Sequence, residues 1–244
     1  MNGTRLVNVT GAELDKLRTL PVPLLAAAGS TVLGAVIAAA LTVHLVDQGV
    51  PLSGTTVTIQ AVPYVQTGLI LLGVLPVAQE YAGGQVRTTL AVVPGRGLLL
   101  VGKTIAALVA VVLTALVAVG GIVAVTALTH HLLGAPSAGH GIEPLPVLGA
   151  AGYLALIGLL SHAVALLVRH LIPALVGVLS LVLIVSPLLA SLSEHARWLP
   201  DRAAMQLYSA ADPVLTATTG TLVMLAWIAL IGGAAAVVFS RRDP

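Results

Sequence analysis

The stretch GLLLVGKTIAALVAVVLTALVAVGGIVAVTAL, residues 97 to 128, decides between two folds. Its first eight residues match the phosphate-loop pattern G-x-x-x-x-G-K-[ST], with Gly97, Gly102, Lys103 and Thr104 in register. A working phosphate loop turns between a buried strand and a helix, so that backbone N–H groups curl round the phosphates. Here the variable positions are Leu98, Leu99, Leu100 and Val101, which resist so tight a curl. Ile105 to Leu128 then runs on without a single charge, and no acidic residue follows Lys103 until Glu143. The aspartate that would hold Mg²⁺ is therefore missing. The motif reads as a decoy, and the stretch as one membrane-crossing helix.

Composition extends that reading to the whole chain. Of 244 residues, 58% are hydrophobic and 8% charged, with mean hydropathy +1.06. Soluble domains carry about a quarter charged residues, so the expected class is an all-α polytopic membrane protein. A hydrocarbon core about 30 Å thick takes about 20 apolar residues per helix. Six segments reach that length: Pro21 to Val46, Ile59 to Ala78, Leu98 to Leu128, Leu145 to Val168, Leu171 to Leu192 and Val214 to Phe239. They leave an N-terminal segment 1–20, a membrane domain 21–240 and a tail 241–244. With five further spans after it, the first reads as an uncleaved start and not as a secretory signal. No cysteine is present, which excludes disulfides and thiol chemistry, and a formal net charge of +2 suggests no nucleic-acid partner.

Lys and Arg orient the spans. With both ends cytoplasmic, Arg5, Lys16, Arg18, Arg87, Arg96, Lys103, Arg169, Arg241 and Arg242 lie inside, and Arg197 and Arg202 outside. Nine of 11 inside is a strong positive-inside bias, and it predicts a cell-membrane protein with segment 193–213 outside. Lys103 then falls near the cytoplasmic mouth of span 3, where its ammonium is expected to snorkel to the headgroups. Lys16 and Arg18 are expected to act with it as membrane anchors.

The spans hold no ionisable residue near mid-membrane except His162, with Gln66 the other deep polar group. Carriers driven by ion gradients usually place charges on their path, so energy for transport is expected from elsewhere. For His162, a hydrogen bond to a neighbouring helix outweighs a substrate contact. Ala35 with Ala39, Ala106 with Ala110 and Ala151 with Ala155 predict close helix packing. Pro63 and Pro76 bracket span 2, and Pro187 predicts a kink or break near the outer end of span 5. His130, His131 and His140 lack the company of a metal site, and no cofactor is expected.

Two cytoplasmic stretches carry pattern. In TGAELDKLRTLPVP, Thr10 and Glu13 form a T-x-x-E capping box and Leu14 and Leu17 share a face, predicting a short helix flat on the inner headgroups. In QEYAGGQVRTTLAVVPGRG, Gly83 and Gly84 break the helix, and Val86, Leu90 and Val93 recur at helical spacing before Pro94. That predicts an amphipathic cytoplasmic helix over 84–93, fitted to lipid or to a groove of another protein.

AELDKLRTL, the run EY-x-x-G-x-x-RTTL from Glu80 to Leu90, then Arg96 and Lys103, six spans, and WLPDRAAMQL at 198–207 together resemble the type-2 ABC exporter permeases. The chain departs from that pattern at Ala82, where a basic residue is frequent, and at Gln85, where Thr usually follows the glycine. The resemblance implies that 84–93 is a coupling helix docking in a separate ABC ATPase subunit, with Glu80, Tyr81, Gly84, Val86, Arg87, Leu90 and Val93 at that interface. It also implies a dimer of permease chains, homo- or heterodimeric, a substrate path between them, and short outer helices between spans 5 and 6. The expected cargo is an amphipathic or lipid-like compound, a drug or a peptide, and the chain itself is expected not to be an enzyme. On this view Lys103→Ala leaves ATP hydrolysis by the complex largely intact. The competing expectation is a non-transporting membrane scaffold or sensor subunit that recruits a cytoplasmic partner.

Overall fold

The computed structural model describes residues 3–50, 53–84, 95–134, 142–210 and 212–241, and within them all regular structure is helical. Helix α1 covers Gly3–Thr19, α2 Pro21–Asp47, α3 Gly54–Ala82, α4 Arg96–Leu133 and α5 Pro144–Val168. Span 5 comprises α6 (Leu171–Ser180), a π-helical turn Leu181–Val185, and α7 (Ser186–Leu192). A 3₁₀ turn Glu194–Trp198 and α8 (Pro200–Met205) follow, and α9 covers Ala217–Arg241. Six helical stretches are long and apolar enough to cross a membrane: α2, α3, α4, α5, Leu171–Leu192 and α9. The chain is thus built as a multi-pass membrane protein.

Local chemistry explains the breaks. Pro21 sits at the first position of α2, where its missing N–H is not needed, and so divides α1 from α2. Gly134 closes α4 at φ 60°, the left-handed conformation that glycine takes without steric cost. Pro63 and Pro76, expected near the ends of span 2, both lie inside the continuous α3. Pro187 acts differently. The Ser186 N–H reaches back five residues to the Leu181 carbonyl, widening the turn before the proline ring.

Helices α3 and α5 form the inner pair: 67% of the apolar window of each is buried, against 11% for α9. Val65, Leu69, Ile70, Leu154 and Ile157 fill their shared core. The two helices approach closely at Gly73, where a Cβ would strike the Gly158 carbonyl. Along α2 the packed stripe is Ser30, Gly34, Ala38 and Thr42, one position before the expected Ala35 and Ala39. The small-residue rule holds, but the glycine and the alanine at Gly34 and Ala38 set which face turns inward.

Candidate functional site

GLLLVGKT lies within α4, in helical conformation throughout, so none of it forms a phosphate-binding turn. Its glycine and lysine serve packing and charge pairing. At Gly102 a Cβ would stand 2.7 Å from Val9 Cγ1, so the missing side chain lets α1 lie close against α4. One residue on, Lys103 Nζ donates to Glu13 Oε2 at 2.6 Å and to both oxygens of Glu80 at 2.8 and 2.7 Å. Lys16 Nζ joins the group, donating to Glu13 Oε1 at 2.7 Å and to Glu80 Oε1 at 3.3 Å.

Four charges from three helices thus form a neutral cluster of two ammonium and two carboxylate groups. Glu13 is 5% and Glu80 6% exposed, so neither carboxylate is left to water. Charges removed from solvent need paired and hydrogen-bonded partners, and these are short, charge-assisted bonds. Lys103, expected to snorkel to the headgroups, directs its ammonium to two carboxylates. The Thr10 capping box is corrected. Helix α1 starts at Gly3, Thr10 lies in its interior, and Glu13 spends its carboxylate on the two lysines. Arg18 is exposed near the end of α1.

The same end of the bundle is tied by further contacts. The Arg169 guanidinium lies 5.4 Å from the centre of the Tyr81 ring and 5.8 Å from that of Phe239, joining α3, the end of α5 and α9 by cation–π contact. Arg96 donates to the Phe239 and Ser240 carbonyls, which are among the last of α9. Of the expected interface, Glu80 joins the cluster, Tyr81 stacks under Arg169, and Gly84 follows α3 at φ 66°. Val86, Arg87, Leu90 and Val93 lie outside the described residues, as does most of the expected coupling helix.

At the other end of α5, Tyr153 donates to Gln66 Oε1 at 2.7 Å and meets Tyr208 edge to face at 5.1 Å. The π turn aims the buried Ser186 hydroxyl at Asp201, to which it donates at 2.5 Å. Burial pushes the Asp201 carboxyl above its ordinary 3.8, with the Ser186 hydrogen bond opposing. Short helices therefore do stand between spans 5 and 6, held by buried polar bonds. His130 and His131 close α4, and no cluster of three His, Cys, Asp or Glu is present among the described residues.

No family model matches the chain, and comparison with curated proteins finds no significant match. The site is therefore interpreted on its own chemistry. It holds no activated nucleophile beside a base, and its four charges neutralise one another. Its bonds join α1, α3 and α4 to one another, beside the ends of α3 and α4 that flank residues 84–93.

Sequence reasoning named Glu80, Lys16 and Lys103 separately and gave Glu13 a local role. One signal was available: with 8% charged residues, two acids and two lysines at the same end of an apolar bundle must find each other.

The cluster has a pH signature. Burial pushes the Glu13 carboxyl up, but the Lys103 charge and the hydrogen bonds from Lys103 and Lys16 outweigh it and hold it below its ordinary 4.5. Burial pushes Lys16 down, yet its bond to Glu13 and the charges of Glu80 and Glu13 leave it above its ordinary 10.5. A lowered acid stabilises fully above its unfolded value and loses this as pH falls through the folded one; a raised base does so below its unfolded value and loses it as pH rises. The purified chain is expected to show a plateau of stability between those two ordinary values. Glu13→Gln should flatten the acid limb in thermal unfolding followed against pH, and an unchanged limb would contradict the pairing.

Proposed function

We propose that this chain is the membrane-spanning permease subunit of an ATP-driven exporter of the ABC type, paired with a second permease chain and driven by a separate ATPase. The observation that supports this best is the position of the charge cluster. Glu80 and Lys103 lie on the two helices that residues 84–93 connect, and they bond directly to each other and to Glu13 of α1. A push on that connection would be carried into α3, α4 and α1 together. Separating such buried salt bridges is costly, since it strands a carboxylate in an apolar setting. In this reading both termini are cytoplasmic in the cell membrane, residues 84–93 dock in the ATPase, and the cargo is an amphipathic or lipid-like compound, a drug or a peptide.

Co-purification from the native membrane tests the proposal. An ATP-hydrolysing subunit is expected to come with the chain, and its hydrolysis in lipid to rise on addition of amphipathic compounds. Recovery with a kinase or regulator and no ATPase would overturn the proposal and favour a scaffold or sensor role.

A further inference from the structure

Helices α4 and α9 both pack on α5 but barely meet each other, and a cleft of about 290 Å³ opens between them. That volume is at the lower end of cavities that hold small molecules. Its walls include Leu159 of α5 and Ile228, Gly232 and Gly233 of α9, and they are almost wholly apolar. Two polar groups interrupt them. Thr104 lines the cleft, its hydroxyl proton already given to the Leu100 carbonyl, so its oxygen is left as an acceptor. His162 is the other; it stands between this cleft and a pocket of about 20 Å³ beside the charge cluster, is 2% exposed, and its Nε2 finds no hydrogen-bond partner among the described residues.

A buried imidazole nitrogen without a partner is costly, and such a group at the wall of a cavity calls for a ligand that completes it. We infer that the cleft between α4, α5 and α9 binds a neutral apolar molecule bearing a hydroxyl, with the hydroxyl at His162 Nε2 and the hydrocarbon along α9. A hydroxyl is both donor and acceptor, so it satisfies either tautomer of the ring. An acidic ligand fits less well: Lys103, the nearest cation of the cluster, is already bound by Glu13 and Glu80. The site goes beyond the permease reading and does not depend on it, because binding is scored on this chain alone.

The test uses the full-length purified chain in lipid nanodiscs and two photoreactive probes. One is a long-chain alcohol carrying a diazirine in its chain; the other is the same hydrocarbon without the hydroxyl. The alcohol is expected to label the peptides lining the cleft, with half-saturation about tenfold higher in His162→Leu, the effect of one hydrogen bond in an apolar setting. The hydroxyl-free probe should not distinguish wild type from His162→Leu, and His162→Asn should recover part of the alcohol's advantage. Gly232→Leu should remove labelling by both probes, since a Cβ at Gly232 meets nothing within 4 Å and the larger side chain enters free space. This variant decides the matter if His162→Leu does not fold. Equal alcohol labelling of wild type, His162→Leu and Gly232→Leu would overturn the inference. So would efficient self-cross-linking of Gly232→Cys in membranes, because a second copy would then fill the cleft.

Discussion

Lys103→Met is expected to destabilise the bundle by about 3–5 kcal/mol, the usual consequence of removing one partner from a buried ion pair. Lys103 makes the shortest bonds to both carboxylates, and only 13% of its side chain is exposed. Without it, Glu13 and Glu80 face each other across a space served by Lys16 alone, whose side chain is 34% exposed and whose bond to Glu80 is 3.3 Å. Two like charges in a poorly solvated site repel, and one must take up a proton or the helices must part. The remedy is specific: adding Glu80→Gln to Lys103→Met removes the stranded charge and should restore a large part of the loss. Thermal unfolding of the purified single and double variants checks both steps. A Lys103→Met chain as stable as wild type would show that the cluster holds nothing together. The effect expected of Lys103→Met is one of stability, from the ion pairs to Glu13 and Glu80, and is unrelated to ATP binding.

The six spans were legible because length and apolarity are summed over about 20 residues, and no single position decides them. The expected ends fall within a few residues of the helices at Pro21–Asp47, Pro144–Val168 and Leu171–Leu192. GLLLVGKT was legible as helix for the same reason: its setting outweighs four matched letters. The partners of Lys103 were not legible. Residues 13, 80 and 103 meet only because α1 lies on α4 and α4 beside α3, and no local pattern states which helices are neighbours. Thr10 and Glu13 show how local pattern misleads. Their spacing fits a helix start, but the carboxylate gains more from two lysines than from a backbone N–H, and the helix runs on through it. At Pro187 the sequence announced a disturbance, but not its form, a π turn just before it that sets the Ser186 hydroxyl against Asp201.

The stripe Val86, Leu90 and Val93 bears the central proposal, that residues 84–93 dock in an ATPase. If Leu90 fills an apolar cleft on that partner, Leu90→Asp places a carboxylate where burial is required, at a cost of a few kcal/mol. At about 1.4 kcal/mol per tenfold, assembly should weaken by at least about a hundredfold. The spans should stay folded, since residue 90 lies in none of the six span helices. A helix resting on lipid would respond otherwise: it would lift locally, and no partner would be lost. Pull-down of the ATPase by membrane-extracted wild type and Leu90→Asp, at equal expression, is the direct measurement. The account predicts near-complete loss of the ATPase from the variant, and equal recovery by both chains would contradict it.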